Sequence, residues 1–272
     1  MTQHSGQGGP ASGAGLEAME SLYPFLYSGT SDLPAVLAQV RASTVAKTEE
    51  IIELRRRVCA SDAARLAACA RDTAAAFAAG GRLFAFGNGG SATDAQQLAT
   101  LFLSPAASTA EGTASGPGEG PGPAPLPAFC LANDTSVITA LCNDIGVDVV
   151  FARQIAAFGT KNDIAVGLST SGNSDNLLRA FDEASRRGML TIGLAGYEGG
   201  KMAELDSIDY LFVAPSASVH RIQEAQTTIY QVLWELTVAE YASLAGTTPP
   251  SGNIAPAGNA PPAGNAHPGG RR

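Results

Sequence analysis

Between Leu33 and Val58 apolar residues recur at helical spacing, through Val36, Leu37, Val40, Val45, Ile51, Ile52 and Leu54, with charges between them. The spacing predicts a long amphipathic helix with at most one break. Ser61-Asp62 then gives a helix-start signal, an alanine-rich run follows, and Gly80-Gly81 gives the stop, so a second helix is expected over Asp62–Ala79. After Gly81 the period changes. Short apolar runs at Leu83–Phe86, Ala128–Leu131, Ile164–Leu168, Leu190–Leu194 and Tyr210–Val213 alternate with helical stretches at Thr93–Leu103, Ser136–Leu141, Asn176–Arg187 and Gln223–Tyr241. Unbroken apolar strands alternating with helices imply a parallel sheet covered on both faces. Ligands of such sheets bind beyond the carboxyl ends of the strands, which directs attention to the strand-to-helix turns.

Composition trims the folded region. Residues 1–15 are rich in Gly and Ser, and residues 246–272 are dominated by Pro, Gly, Ala and Asn. Both hold too few bulky apolar groups to offset the entropy of ordering and are expected to be disordered. A third stretch, 105–127, carries A-E-G-T-A-S-G-P-G-E-G-P-G-P-A-P and is too long for an ordinary connection, so a mobile surface insertion is expected. Residues 16–245 then make one domain with N-terminal helices.

The formal net charge of −8 argues against nucleic acid as a partner, because polyanion binders display a basic face. Cys59, Cys69, Cys130 and Cys142 form no C-x-x-C pair and lie in apolar or helical patterns, so they read as reduced thiols and fit the cytoplasm. The N-terminus lacks the basic and apolar regions of a signal peptide, and no run of eighteen apolar residues occurs, so neither secretion nor a membrane span is expected.

Two turns carry candidate chemistry. Gly87-Asn88-Gly89-Gly90-Ser91 follows one strand and opens a helix; its glycines either let a ligand approach the backbone or simply make a tight turn capped by Ser91. Ser169-Thr170-Ser171-Gly172-Asn173-Ser174 follows another strand and opens the helix from Asn176. Four hydroxyls and the unpaired N–H groups of a helix start can surround a phosphate, and the helix dipole favours its charge. A cap alone needs one hydroxyl, which leaves the others to be explained by an anion. No P-loop and no dinucleotide fingerprint is present, so a phosphate monoester is the simpler ligand.

The ordered series G-N-G-G-S, A-T-D-A-Q-Q, N-D after Cys142, L-S-T-S-G-N-S, G-G-K-M-A and R-I-Q-E resembles the sugar isomerase (SIS) family, and within it the bacterial phosphoheptose isomerases. The resemblance spans about Leu33 to Tyr241. It implies a flavodoxin-like, doubly wound five-stranded parallel sheet, a seven-carbon sugar phosphate such as sedoheptulose 7-phosphate as ligand, and a homotetramer with sites between subunits. By position it implies that Ser169, Thr170, Ser171 and Ser174 hold the phosphate, while Asn88, Ser91, Asp144 and Gln223 contact sugar hydroxyls.

The same resemblance implies a zinc site whose Glu and His double as acid and base, and here the chain departs from it. Where the family has His and Glu four apart after the glycine turn, this chain has Gln97 and Leu101; where it has a later His, this chain has Gln231. With Gln223 of R-I-Q-E, which the resemblance also places at the metal, the set is three amides and a leucine, which do not make a zinc site, so no metal and no cofactor is expected, and Gln97 joins the sugar contacts. Aldose–ketose interconversion needs a base and a proton shuttle. His220, next to R-I-Q-E, is the candidate replacement; the alternative is that it caps a helix or faces water. Asp94 and Glu224 are weaker carboxylate candidates, both in helical patterns. Two functions remain open: a metal-independent sugar-phosphate isomerase, or a non-catalytic module that senses a sugar phosphate or bridges a protein partner.

Overall fold

The computed structural model describes residues 33–104 and 124–247. The expectations for residues 1–15, for most of 105–127 and for most of 246–272 lie outside the described residues. By contacts the chain divides into two units, residues 1–57 and 58–272.

Helix α1 spans Leu33–Ala78 without interruption. Two helices were expected here, divided at Ser61. Instead the Ser61 hydroxyl donates back to the Val58 carbonyl at 3.1 Å, a bond made inside a helix, and Asp62 receives Arg65 one turn on. The cap-like residues thus spend their polarity within the continuing helix.

Five strands follow: β1 (Leu83–Gly87), β2 (Ala128–Cys130), β3 (Ile164–Leu168), β4 (Leu190–Gly196) and β5 (Tyr210–Ala214), all parallel and ordered β2-β1-β3-β4-β5. β1 and β3 are buried along their whole length, which is why they read as unbroken apolar runs rather than alternating ones. The helices between them are α2 (Gly90–Leu103), α3 (Thr135–Asp144), α4 (Val150–Phe158), α5 (Asp175–Arg186) and α6 (Val219–Thr247). Helix α4 was not expected. Its N-cap is Val149, which offers no side-chain acceptor, so the sequence carries no start signal there.

Helices α4 and α5 pack together, as do α2 and α6. The core under α4 and α5 holds Phe86, Phe151 and Phe181, with ring centroids of Phe86 and its two neighbours 5.5 and 5.3 Å apart. At the amino ends of β1 and β3, buried Asp163 accepts two bonds from the Arg82 guanidinium and one from the Thr160 hydroxyl, and receives the backbone N–H groups of both residues. Burial would raise the Asp163 carboxyl, but these donors hold it below the usual carboxylate range.

The strand order sets the site. From β1 the chain moves outward to β2, and from β3 it moves the other way to β4, so the turns after β1 and β3 diverge at a switch point. Gly87 pairs with Leu168 at the end of the ladder, which puts the Gly87–Ser91 and Ser169–Ser174 turns side by side.

Candidate functional site

The β3–α5 turn is held by its own side chains and by its neighbours. Ser169 is buried; its N–H donates to the Leu194 carbonyl at 2.9 Å, and its hydroxyl accepts the Gly172 N–H at 3.0 Å. Its carbonyl accepts from the Gln226 side chain on α6, at 3.0 Å. The Ser171 hydroxyl accepts the Asn173 N–H at 3.3 Å. Thus two of the four hydroxyls expected at the phosphate shape the turn, and each retains its hydrogen for donation to a ligand. Ser174 is the N-cap of α5 through its carbonyl, which receives the Leu177 and Leu178 N–H groups, and its hydroxyl makes no cap bond. Thr170 and Ser171 are half-buried beside it.

A second turn is pressed against this one. Gly172 has φ +67°, and a Cβ there would lie 2.0 Å from the Gly199 carbonyl oxygen; a Cβ on Gly200, φ +56°, would lie 2.3 Å from the Ser171 carbonyl oxygen. Only glycine permits this approach. Met202 N–H donates to the Gly172 carbonyl and Lys201 N–H to Asn173 Oδ1. The Lys201 ammonium is exposed and lies 3.4 Å from Asp175. Ser171, Asn173, Tyr197, Glu198, Gly200, Pro215, Ser216 and Ala217 line an open cleft of about 780 Å³ at the carboxyl ends of β3, β4 and β5.

The glycine turn after β1 is tied to the same place by an amide pair. Asn88 Nδ2 donates to Asn176 Oδ1 and Asn176 Nδ2 donates to Asn88 Oδ1, both at 2.9 Å. Asn88, expected at the sugar, therefore joins the two turns across the switch point, with buried Asn176 as a partner the sequence reading missed. Its signal was present as a second amide on the helix opened by the cradle. Ser91 is buried in the first turn of α2. Gln223 lies over Gly90 and donates to Asp94 Oδ2 at 3.0 Å, joining α6 to α2. Burial lifts the Asp94 carboxyl above its ordinary range, and the Gln223 bond opposes that rise.

The remaining expected residues are more dispersed. Asp144 is the last residue of α3, exposed, and accepts from Asn143 at 2.8 Å; among the described residues no hydrogen bond links it to the cradle. Gln97 and Gln231 are exposed and Leu101 is buried. Gln97, Gln231 and Leu101 offer none of the thiolate, imidazole or carboxylate ligands that zinc takes, and among the described residues no three His, Cys, Asp or Glu side chains gather. His220 is exposed in the first turn of α6, three residues beyond Ala217 of the cleft. Glu224 pairs with Arg221.

A hydroxyl-lined turn at the switch point of a parallel sheet covered by helices, opening a helix, defines the class as a doubly wound α/β domain with donors of the kind that suit an anion. The SIS domain model matches residues 31–114 and 119–196, and the chain belongs to the SIS domain family. It is 43% identical over 184 residues to a phosphoheptose isomerase of Pelodictyon phaeoclathratiforme, covering 68% of this chain and 82% of that one. A phosphoheptose isomerase of Helicobacter pylori is 42% identical over 60% of this chain and 77% of its own length. Among solved structures, phosphoheptose isomerase from Neisseria gonorrhoeae superposes with a TM-score of 0.64 at 30% identity, over 74% of this chain and 99% of that one. The flavodoxin-like fold expected from the sequence is the fold observed. Among the described residues no helix is long and apolar enough to cross a membrane.

Proposed function

We propose that this chain binds a phosphorylated sugar of the heptose phosphate class, with the phosphate in the Ser169–Ser174 turn. The observation that carries the reading is that turn: hydroxyls of Thr170, Ser171 and Ser174 gathered at the N-terminus of α5, fixed by Gly172 against Gly199. In this reading the phosphate takes backbone N–H and hydroxyl donors, and the dipole of α5 stabilises its charge. Gln223, Ser91, Gln97 and Asp144 orient the sugar hydroxyls, while Asn88 sets the distance between the two turns.

The relatives are named phosphoheptose isomerases; carried over to this chain, the proposed activity is interconversion of a ketose heptose phosphate such as sedoheptulose 7-phosphate with an isomeric aldose. That reaction moves a proton between adjacent carbons and needs a titrating group near them. His220, three residues along the chain from Ala217 of the cleft, is the residue proposed for that proton transfer, without a metal. Gln97, Leu101 and Gln231 favour a second reading: a module that binds the sugar phosphate without turning it over, and signals or bridges a protein partner.

Exposed Leu103, Phe129, Ile145, Val147 and Phe158 support an assembly of several copies, for which a homotetramer in the cytoplasm is the proposed form. Purified protein incubated with sedoheptulose 7-phosphate, with and without chelator, separates the readings by isomerisation and thermal shift together. Turnover insensitive to chelator and lost in His220→Ala establishes the enzyme. A thermal shift with no turnover establishes the binding module, and the lack of both responses refutes the sugar-phosphate reading.

A further inference from the structure

At the end of β4 the chain turns through Gly196-Tyr197-Glu198-Gly199, closed by the Gly199 N–H on the Gly196 carbonyl at 2.9 Å. Tyr197 occupies the first central position with φ +52°, and among the described residues it is the only one besides glycine with positive φ. Glycine ordinarily fills such a turn position, because a Cβ clashes with the following carbonyl. Tyr197 is flanked by glycines at both ends of the turn, so the strained site carries the one large side chain available there. The residue is 40% exposed and lines the cleft with Ser171, Glu198 and Ser216.

The turn that carries Tyr197 is also pressed against the cradle. Gly172 and Gly200 approach too closely to admit a Cβ, and the Met202 and Lys201 N–H groups bond back to Gly172 and Asn173. The cleft borders the cradle at Ser171 and Asn173, and Tyr197 gives it an aromatic wall. Strain kept at a cleft wall points to a contact that the strained conformation makes possible.

We infer that Tyr197 determines ligand specificity, laying its ring against the C–H face of the sugar chain while Glu198 accepts from sugar hydroxyls. The inference rests on the sugar-phosphate reading and adds to it the residue that separates a sugar phosphate from phosphate alone. An aromatic wall reads carbon skeleton, which inorganic phosphate lacks.

The test measures dissociation constants of the full chain for sedoheptulose 7-phosphate and for inorganic phosphate, in wild type, Tyr197→Gly and Tyr197→Phe. Glycine removes the ring and the strain together, so the melting temperature of Tyr197→Gly is expected to hold or rise, by about 2 °C. The preference for the sugar phosphate over inorganic phosphate is expected to fall about tenfold in Tyr197→Gly and to survive in Tyr197→Phe. An unchanged preference in a folded Tyr197→Gly overturns the inference while leaving the sugar-phosphate reading intact. Wild type that binds neither ligand overturns both.

Discussion

Gly172 and the Asn88–Asn176 pair carry the clearest consequences of single side chains. Gly172→Ala places a methyl group against the Gly199 carbonyl in a positive-φ position, and is expected to cost at least about 2 kcal/mol in urea unfolding. The same variant is expected to lose phosphate-dependent stabilisation, since the collision separates the cradle from its neighbouring turn. Asn88→Ala leaves buried Asn176 without its reciprocal amide and is expected to cost about 1–3 kcal/mol. A double-mutant cycle with Asn176→Ala tests this, with a coupling near zero refuting the pair as the tie between the turns. At this scale the sequence was readable in kind but not in contact. Asn88 and Gln223 announced themselves as polar residues at turns; that they bond Asn176 and Asp94 depends on strand order, which brings together residues more than eighty positions apart.

The elements follow from the sequence where burial is complete on both faces, and less well where capping must be read. β3 spans Ile164–Leu168, as its unbroken apolar run predicted, because every residue of this inner strand is buried and neither face meets solvent. Helix α1 runs through Ser61 because serine and aspartate serve equally as caps and as residues that bond one turn back. The Arg82–Asp163 link joins the start of β1 to that of β3 and has a pH signature. With its folded pKa below the unfolded value of about 3.9, Asp163 contributes stability that is complete above about pH 5. That contribution is lost as pH falls through the lower folded pKa. Asp163→Asn is therefore expected to cost about 2 kcal/mol at pH 7 and progressively less toward pH 3, measured by denaturant unfolding across that range. A deficit that stays constant with pH contradicts the assignment.

For the molecule as a whole, the order β2-β1-β3-β4-β5 brings separate turns together at the carboxyl ends of the central strands, and the chain belongs to the SIS domain family. The fold was legible because strand–helix alternation is a whole-chain pattern; Tyr197 was not, because its backbone angle has no sequence signature beyond flanking glycines. Ligand at a hundred times its dissociation constant is expected to stabilise the folded chain by about 2.7 kcal/mol, which corresponds to a rise in melting temperature of about 5–10 °C. The central claim is that the Ser169–Ser174 turn holds the phosphate of a sugar phosphate. Calorimetric titration of the full chain with sedoheptulose 7-phosphate, repeated in a Ser171→Ala, Ser174→Ala double variant, tests it most directly. Saturable binding that inorganic phosphate competes away, and that the double variant weakens at least about tenfold, is the predicted result. Equal affinity in a folded double variant, or no binding to the wild type, contradicts it.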